Sequence, residues 1–133
     1  MKTVQEFIDA GILIQSDIDN EYISQEDIDN YNKKSNEELR ESLNGAVRFM
    51  EEDYHTFYHP YYQIGGLREM SDDEFVYRNG IAYLHTEVVK QLLEERNENV
   101  ETTLKDTNYY VYQDLHKELD EQYATIGTLK AEG

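Results

Sequence analysis

Glu52-Asp53-Tyr54-His55 sets a carboxylate three residues before an imidazole, and His59 follows His55 by four. On a helix both spacings bring side chains to one face, so Glu52, His55 and His59 are the residues best placed for a small metal-dependent enzyme. A dimetal carboxylate centre would need a second Glu-x-x-His. His85 and His116 do not supply it, because Ala82 and Gln113 stand at that spacing before them. His59 also precedes Pro60, which disfavours helical geometry in the residue before it. Ordinary polar roles for these imidazoles are the better expectation, with no metal or other cofactor.

Asp17-Ile18-Asp19 and Asp27-Ile28-Asp29 invite comparison with calcium loops, which need glycine at the sixth position and a bidentate Glu at the twelfth. Counting from Asp17 gives Tyr22 and Ile28, and counting from Asp27 gives Asn32 and Glu38, so both fail. Paired carboxylates such as Glu51 with Glu52, or Asp72 with Asp73, serve acid–base catalysis only where burial drives their pKa values apart. Runs of this kind are usually solvated faces. The chain has no Gly-rich phosphate loop, nucleophile elbow or recognisable Ser/His/Asp arrangement, and the expectation is a protein that is not an enzyme.

The elements that position these residues belong to one domain, since 133 residues make a single core of ordinary size. Against 29 Asp and Glu stand 12 Lys and Arg, for a formal charge of −17, which sets the surface against direct nucleic-acid binding. The chain has no cysteine, a composition that suits a reducing compartment. No apolar run approaches the ~18 residues of a membrane span, and Met-Lys-Thr leads directly into an acidic amphipathic stretch with no export signal. The expected location is the cytosol.

The expected fold class is mainly α. Thr3 with Glu6, Ser24 with Asp27, Ser35 with Glu38, and Ser71 with Glu74 each pair a capping hydroxyl with an acid three residues on, a helix-start signal. The spacing predicts a short helix over 4–10 ended by Gly11, an extended Ile12-Leu13-Ile14, and a second short helix from Ser24 to about Lys34. Leu39, Leu43, Val47, Met50, Tyr54 and Phe57 share one face of a helix over 36–59. His59 to Met70, with Pro60 and Gly65-Gly66, reads as the main loop. A helix over 72–96 carries Phe75, Ala82, Val89 and Leu93, widened by Ile81, Leu84, Val88 and Leu92, with a kink expected at Asn79-Gly80. Val100, Leu104, Val111, Leu115, Leu119 and Ile126 give a last helix over 99–126, closed by Gly127. Three such helices pack most simply as an antiparallel bundle, with residues 1–35 on its side as short helices and an extended segment. Ser16–Tyr22 is echoed ten residues later by Glu26–Tyr31, which is too short for a solenoid and reads as coincidence or a local duplication.

The charge is spread along the chain: residues 1–35 carry −5, 36–60 carry −4, 61–96 carry −3 and 97–133 carry −5. Acids interleaved with Tyr, Leu and Ile in helical periods belong to a folded surface rather than a disordered tail. Carboxylates three or four apart on a helix lie ~5–6 Å from one another, a scale comparable with the phosphates of a duplex. The candidate contact faces are Asp17, Asp19, Glu21, Asp27 and Asp29; Glu51, Glu52 and Asp53; Asp72, Asp73 and Glu74; and Glu118, Asp120 and Glu121. Tyrosine supplies rigid anchors at such contacts, and Tyr58, Tyr61 and Tyr62 fall off the buried stripe or into the loop. Tyr109, Tyr110 and Tyr112 are a weaker candidate group, of which at least one must face inward.

A small, cysteine-free, strongly acidic, Tyr-rich chain without catalytic signature resembles the phage-encoded anti-CRISPR and anti-restriction inhibitors that mimic DNA. The likeness covers the whole chain and rests on character, with no motif from which to transfer a residue. It implies a basic nucleic-acid-binding partner, Cas9 or a restriction enzyme, with Cas9 leading because its DNA channel is lined with Lys and Arg. The competing expectation is an acidic helical interaction module, an accessory subunit or toxin-neutralising partner, whose contact is mainly apolar.

Overall fold

The computed structural model describes residues 2–55 and 71–119, and among them helices are the only regular elements. In chain order they are α1 (Val4–Asp9), α2 (Gln15–Asp19), α3 (Gln25–Lys33), α4 (Asn36–Asp53), α5 (Asp72–Arg78), α6 (Gly80–Glu95), α7 (Glu101–Leu104) and α8 (109–119). The four hydroxyl-plus-acid starts are helix starts. The side chains of Thr3, Ser24, Ser35 and Ser71 accept from the backbone N–H three residues on, and Asp27 and Glu38 return the bond to the capping residue.

Helices α4 and α6 form the central pair. They run antiparallel, because Asn36 at the start of α4 meets Arg96 beyond the end of α6, and Asp53 at the end of α4 meets Asn79 before α6. Leu39, Leu43, Val47 and Met50 face Val88, Val89, Leu92 and Leu93 in the core. Each such side chain, fully buried, contributes roughly 1.5–3 kcal/mol of transfer free energy. Phe7, Leu13, Ile23 and Ile28 bring the N-terminal segments onto the same core, and Phe75, Tyr109 and Tyr112 close it from α5 and α8.

The N-terminal echo is a structural repeat with a third copy. Gln5, Gln15 and Gln25 stand in the first turns of α1, α2 and α3, and each donates its side-chain amide to the aspartate four residues on: Asp9 at 2.8 Å, Asp19 at 3.1 Å and Asp29 at 2.8 Å. Ile8, Ile18 and Ile28 occupy the same place in each turn, all packed on the core. Helix α2 lay outside the sequence expectation because its capping position is Ile14, which has no side-chain acceptor. Asp17 compensates by accepting from the Ile14 N–H at 3.0 Å. Gly11 ends α1 in the left-handed region at φ +78°, as a C-terminal glycine should.

Two of the three expected long helices are divided. The break at Asn79 separates α5 from α6, where the Asn79 amide turns inward to the Phe75 carbonyl and Asp53. The expected continuous helix over 99–126 is interrupted at 105–108, and residues 120–126 lie outside the described part. There Thr107 accepts from the Tyr109 N–H, a local side-chain bond that competes with helical pairing. The interruption changes which residues face the core just after it, although Leu115 still packs against the core as expected. Tyr109 and Tyr112 are buried, while Val111, which the unbroken period places inside, is exposed. Ile81 is likewise exposed rather than on the buried face. Phe57 and the expected loop over 59–70 lie outside the described residues.

Candidate functional site

The acids of the expected contact faces divide into those that are wholly or partly buried or bonded within the fold and those whose side chains are exposed. Asp17 and Asp27 reach back to the backbone at the starts of α2 and α3, and Asp19 and Asp29 hold their own helix's glutamine. Glu51 accepts from the backbone and side-chain N–H groups of Asn108 and lies 3.2 Å from His55 Nε2, joining α4 to the start of α8. Asp53 is only 5% exposed and accepts from Arg78 Nε at 2.8 Å and Asn79 Nδ2 at 3.0 Å, so it stands inside the molecule and not on the acidic face. Glu21, Glu52, Asp72, Asp73, Glu74 and Glu118 are exposed. Tyr58, Tyr61, Tyr62, Asp120 and Glu121 lie outside the described residues.

The cations are arranged the opposite way. Arg96 donates to the carbonyls of Lys34 (2.7 Å) and Asn32 (3.1 Å) and to Asn36 Oδ1 (3.1 Å), closing the C-terminus of α3. Arg40 holds Glu98 at 2.8 Å and the Asn99 carbonyl at 3.1 Å. Lys2 binds Glu95 at 2.7 Å, and Lys34 donates to Ser42 at 3.0 Å. Lys90 lies over the ring of Tyr109 and near Glu94, and Arg78 is held by Asp53. Lys33, Arg48, Lys105 and Lys117 are the other described Lys and Arg residues, all exposed. Six of the ten described positive charges are thus engaged within the fold, and exposed carboxylates outnumber the exposed cations.

These ties appear in the protonation of the groups involved. Hydrogen bonds from Arg40 and Asn36 hold the Glu98 carboxyl below its usual range, and the Ser35 backbone and hydroxyl do the same for Glu38. The bond to Glu95 raises Lys2 above its ordinary value. Burial first, then the neighbouring Glu87 carboxylate that accepts from its hydroxyl, pushes the Tyr109 phenol far up.

The aromatic residues sort by the same structural logic. Tyr83 packs against Tyr112 with centroids 4.9 Å apart and against His116 at 4.6 Å, while Tyr112 donates to the Val76 carbonyl at 2.6 Å. These rings are core. Tyr77 is 87% exposed, Ile81 52% and Tyr22 41%, and with Val76 and Leu84 they line an open groove of ≈ 470 Å³ between α2, the α5–α6 junction and α8. Sequence reasoning missed this groove. The available signal was Tyr77 falling off the Phe75, Ala82, Val89 stripe with Ile81 four residues on, a second apolar edge that the fold does not cover.

Among the described residues no group of three or more His, Asp or Glu is placed to hold a metal ion. Of the residues weighed as metal ligands, Glu52 is exposed, His55 turns to Glu51, and His59 lies outside the described residues. No helix of the described part is long and apolar enough to cross a membrane. Neither a family model, nor a curated protein, nor a solved structure matches this chain.

Proposed function

We propose that the protein is a non-enzymatic inhibitor whose carboxylate surface occupies the basic nucleic-acid-binding groove of a defence effector, Cas9 or a restriction enzyme, in place of DNA. The observation that supports this most directly is the engagement of Arg96, Arg40, Arg78 and Lys2 in contacts within the fold. With six of the ten described Lys and Arg residues engaged in such contacts, exposed carboxylates outnumber exposed cations, the excess of negative charge that a stand-in for a phosphate backbone requires. Glu52, Asp73 and Glu118, with their neighbours on α5, are the acids this reading places at the contact. Electrostatic attraction brings the partners together quickly, and a central apolar anchor holds them.

The experiment is a competition. A fluorescent target duplex bound to the Cas9–guide complex, and separately to a restriction endonuclease, is titrated with the protein. The reading expects displacement of the duplex from at least one effector. Duplex binding untouched by a large excess of the protein in both cases overturns it for these effectors.

A further inference from the structure

Tyr22, Tyr77 and Ile81 spend large apolar surface on water at one place, although single exposed apolar residues scattered over a protein need no explanation. They converge on the groove between α2 and the α5–α6 junction, with Val76 and Leu84 as its inner wall. We propose that this groove is the anchor of a protein interface and that its occupant is a basic amphipathic segment of the partner, with an apolar residue inserted and Lys or Arg at the flanks. The inference rests on the anionic-surface reading and adds to it the point of attachment.

Charge complementarity selects that occupant. Asp17 is part of the groove wall, and Asp73 stands four residues before Tyr77 on the same face of α5, so carboxylates border the apolar strip. The wall also holds His116 and the half-exposed Arg78, whose positive charge is offset by Asp53 at 2.8 Å. A second copy of this chain is disfavoured as occupant, because two molecules of −17 repel as they approach. An apolar centre with an oppositely charged rim is the usual anatomy of a specific contact, in which a few aromatic residues carry most of the affinity.

The test uses a synthetic Leu/Lys peptide that is amphipathic as a helix, a scrambled peptide of the same composition, and the full-length protein labelled for amide NMR. Expected are shifts centred on Tyr22, Tyr77, Ile81 and Leu84 with the amphipathic peptide, and weaker, dispersed shifts with the scrambled one. Tyr77→Ala with Ile81→Ala should weaken the amphipathic peptide ~10-fold or more and leave the scrambled peptide unchanged. Both side chains are exposed, so the doubly substituted protein should melt as the parent does. Equal binding of both peptides with dispersed shifts overturns the groove and leaves the anionic-surface reading standing. Failure of both peptides to bind at low salt overturns both. Self-association through Tyr77 and Ile81, seen by sedimentation and abolished in the doubly substituted protein, assigns the groove to a second copy and overturns the basic occupant.

Discussion

Arg78 Nε lies 2.8 Å from Asp53 Oδ2, and the same oxygen accepts from the buried amide of Asn79 at 3.0 Å. One carboxylate at the end of α4 thereby fixes the junction between α5 and α6, next to the exposed Tyr77 and Ile81. Replacing Asp53 by Ala removes one of the two acceptors of the buried Asn79 amide and the buried carboxylate that holds Arg78 Nε. We expect a loss of about 2–3 kcal/mol of stability, discounted for the exposed half of Arg78. The neighbouring exposed Glu52→Ala should move stability by less than about 0.5 kcal/mol. Urea denaturation of the two variants checks the contrast, and equal effects would contradict the buried role of Asp53.

The sequence held the helix starts and much of the core in local terms. Ser24, Ser35 and Ser71 cap where their acids three residues on indicated, and Leu39, Leu43, Val47 and Met50 are buried at the spacing that placed them on one face. What it concealed is non-local or phase-dependent. Asp53 sits in an acidic run and looks solvated, because its partners stand 25 and 26 residues away in sequence. The last helix kept an apparent period across Val100, Leu104 and Val111 only because a gap of seven is two helical turns. The Thr107 turn changes which residues face the core just after it, burying Tyr112 in place of Val111. Of the candidate contact residues, the acids were legible as a composition, but which of them cap helices and which face solvent depends on the folded backbone.

Arg96 makes the second non-local lock, closing the α3 C-terminus from beyond α6. Arg96→Ala strips two carbonyls and Asn36 of a charged donor, and we expect a loss of about 1–3 kcal/mol. Arg96→Lys should recover only part of it, since an ammonium cannot span the three acceptors as a planar guanidinium does. Hydrogen exchange adds a second reading: α3 amides should lose more protection than those of α1. Full rescue by Lys would contradict the geometry.

Stability should fall at both ends of the pH scale for identifiable reasons. Glu38 and Glu98 have carboxyls held below the ordinary 4.5, so their contribution is present above that value and is lost as pH falls through the lower folded values. Tyr109 is raised above the ordinary 10.0, so its contribution is complete below that value and is lost as pH rises beyond it. Thermal melts across pH, with tyrosinate absorbance followed at the alkaline end, should show Tyr109 ionising only together with unfolding. Ionisation of all 12 tyrosines at the ordinary value in a still-folded protein would contradict its burial.

Self-repulsion gives a further expectation. With −17 on one small domain, moderate salt should raise the melting temperature relative to low ionic strength, because screening relieves the repulsion more than it weakens the exposed pairs. A melting temperature that falls steadily as salt is added would show that the ion pairs, and not the unpaired acids, dominate the surface.

Affinity for the Cas9–guide complex as a function of salt tests the central claim most directly, since a carboxylate surface standing in for DNA binds largely through charge. We predict that affinity falls steeply, by at least ~10-fold between ~50 and ~200 mM salt, and that excess target duplex competes with the protein throughout. An affinity that stays level over that range, with the protein and the duplex bound together, would contradict it.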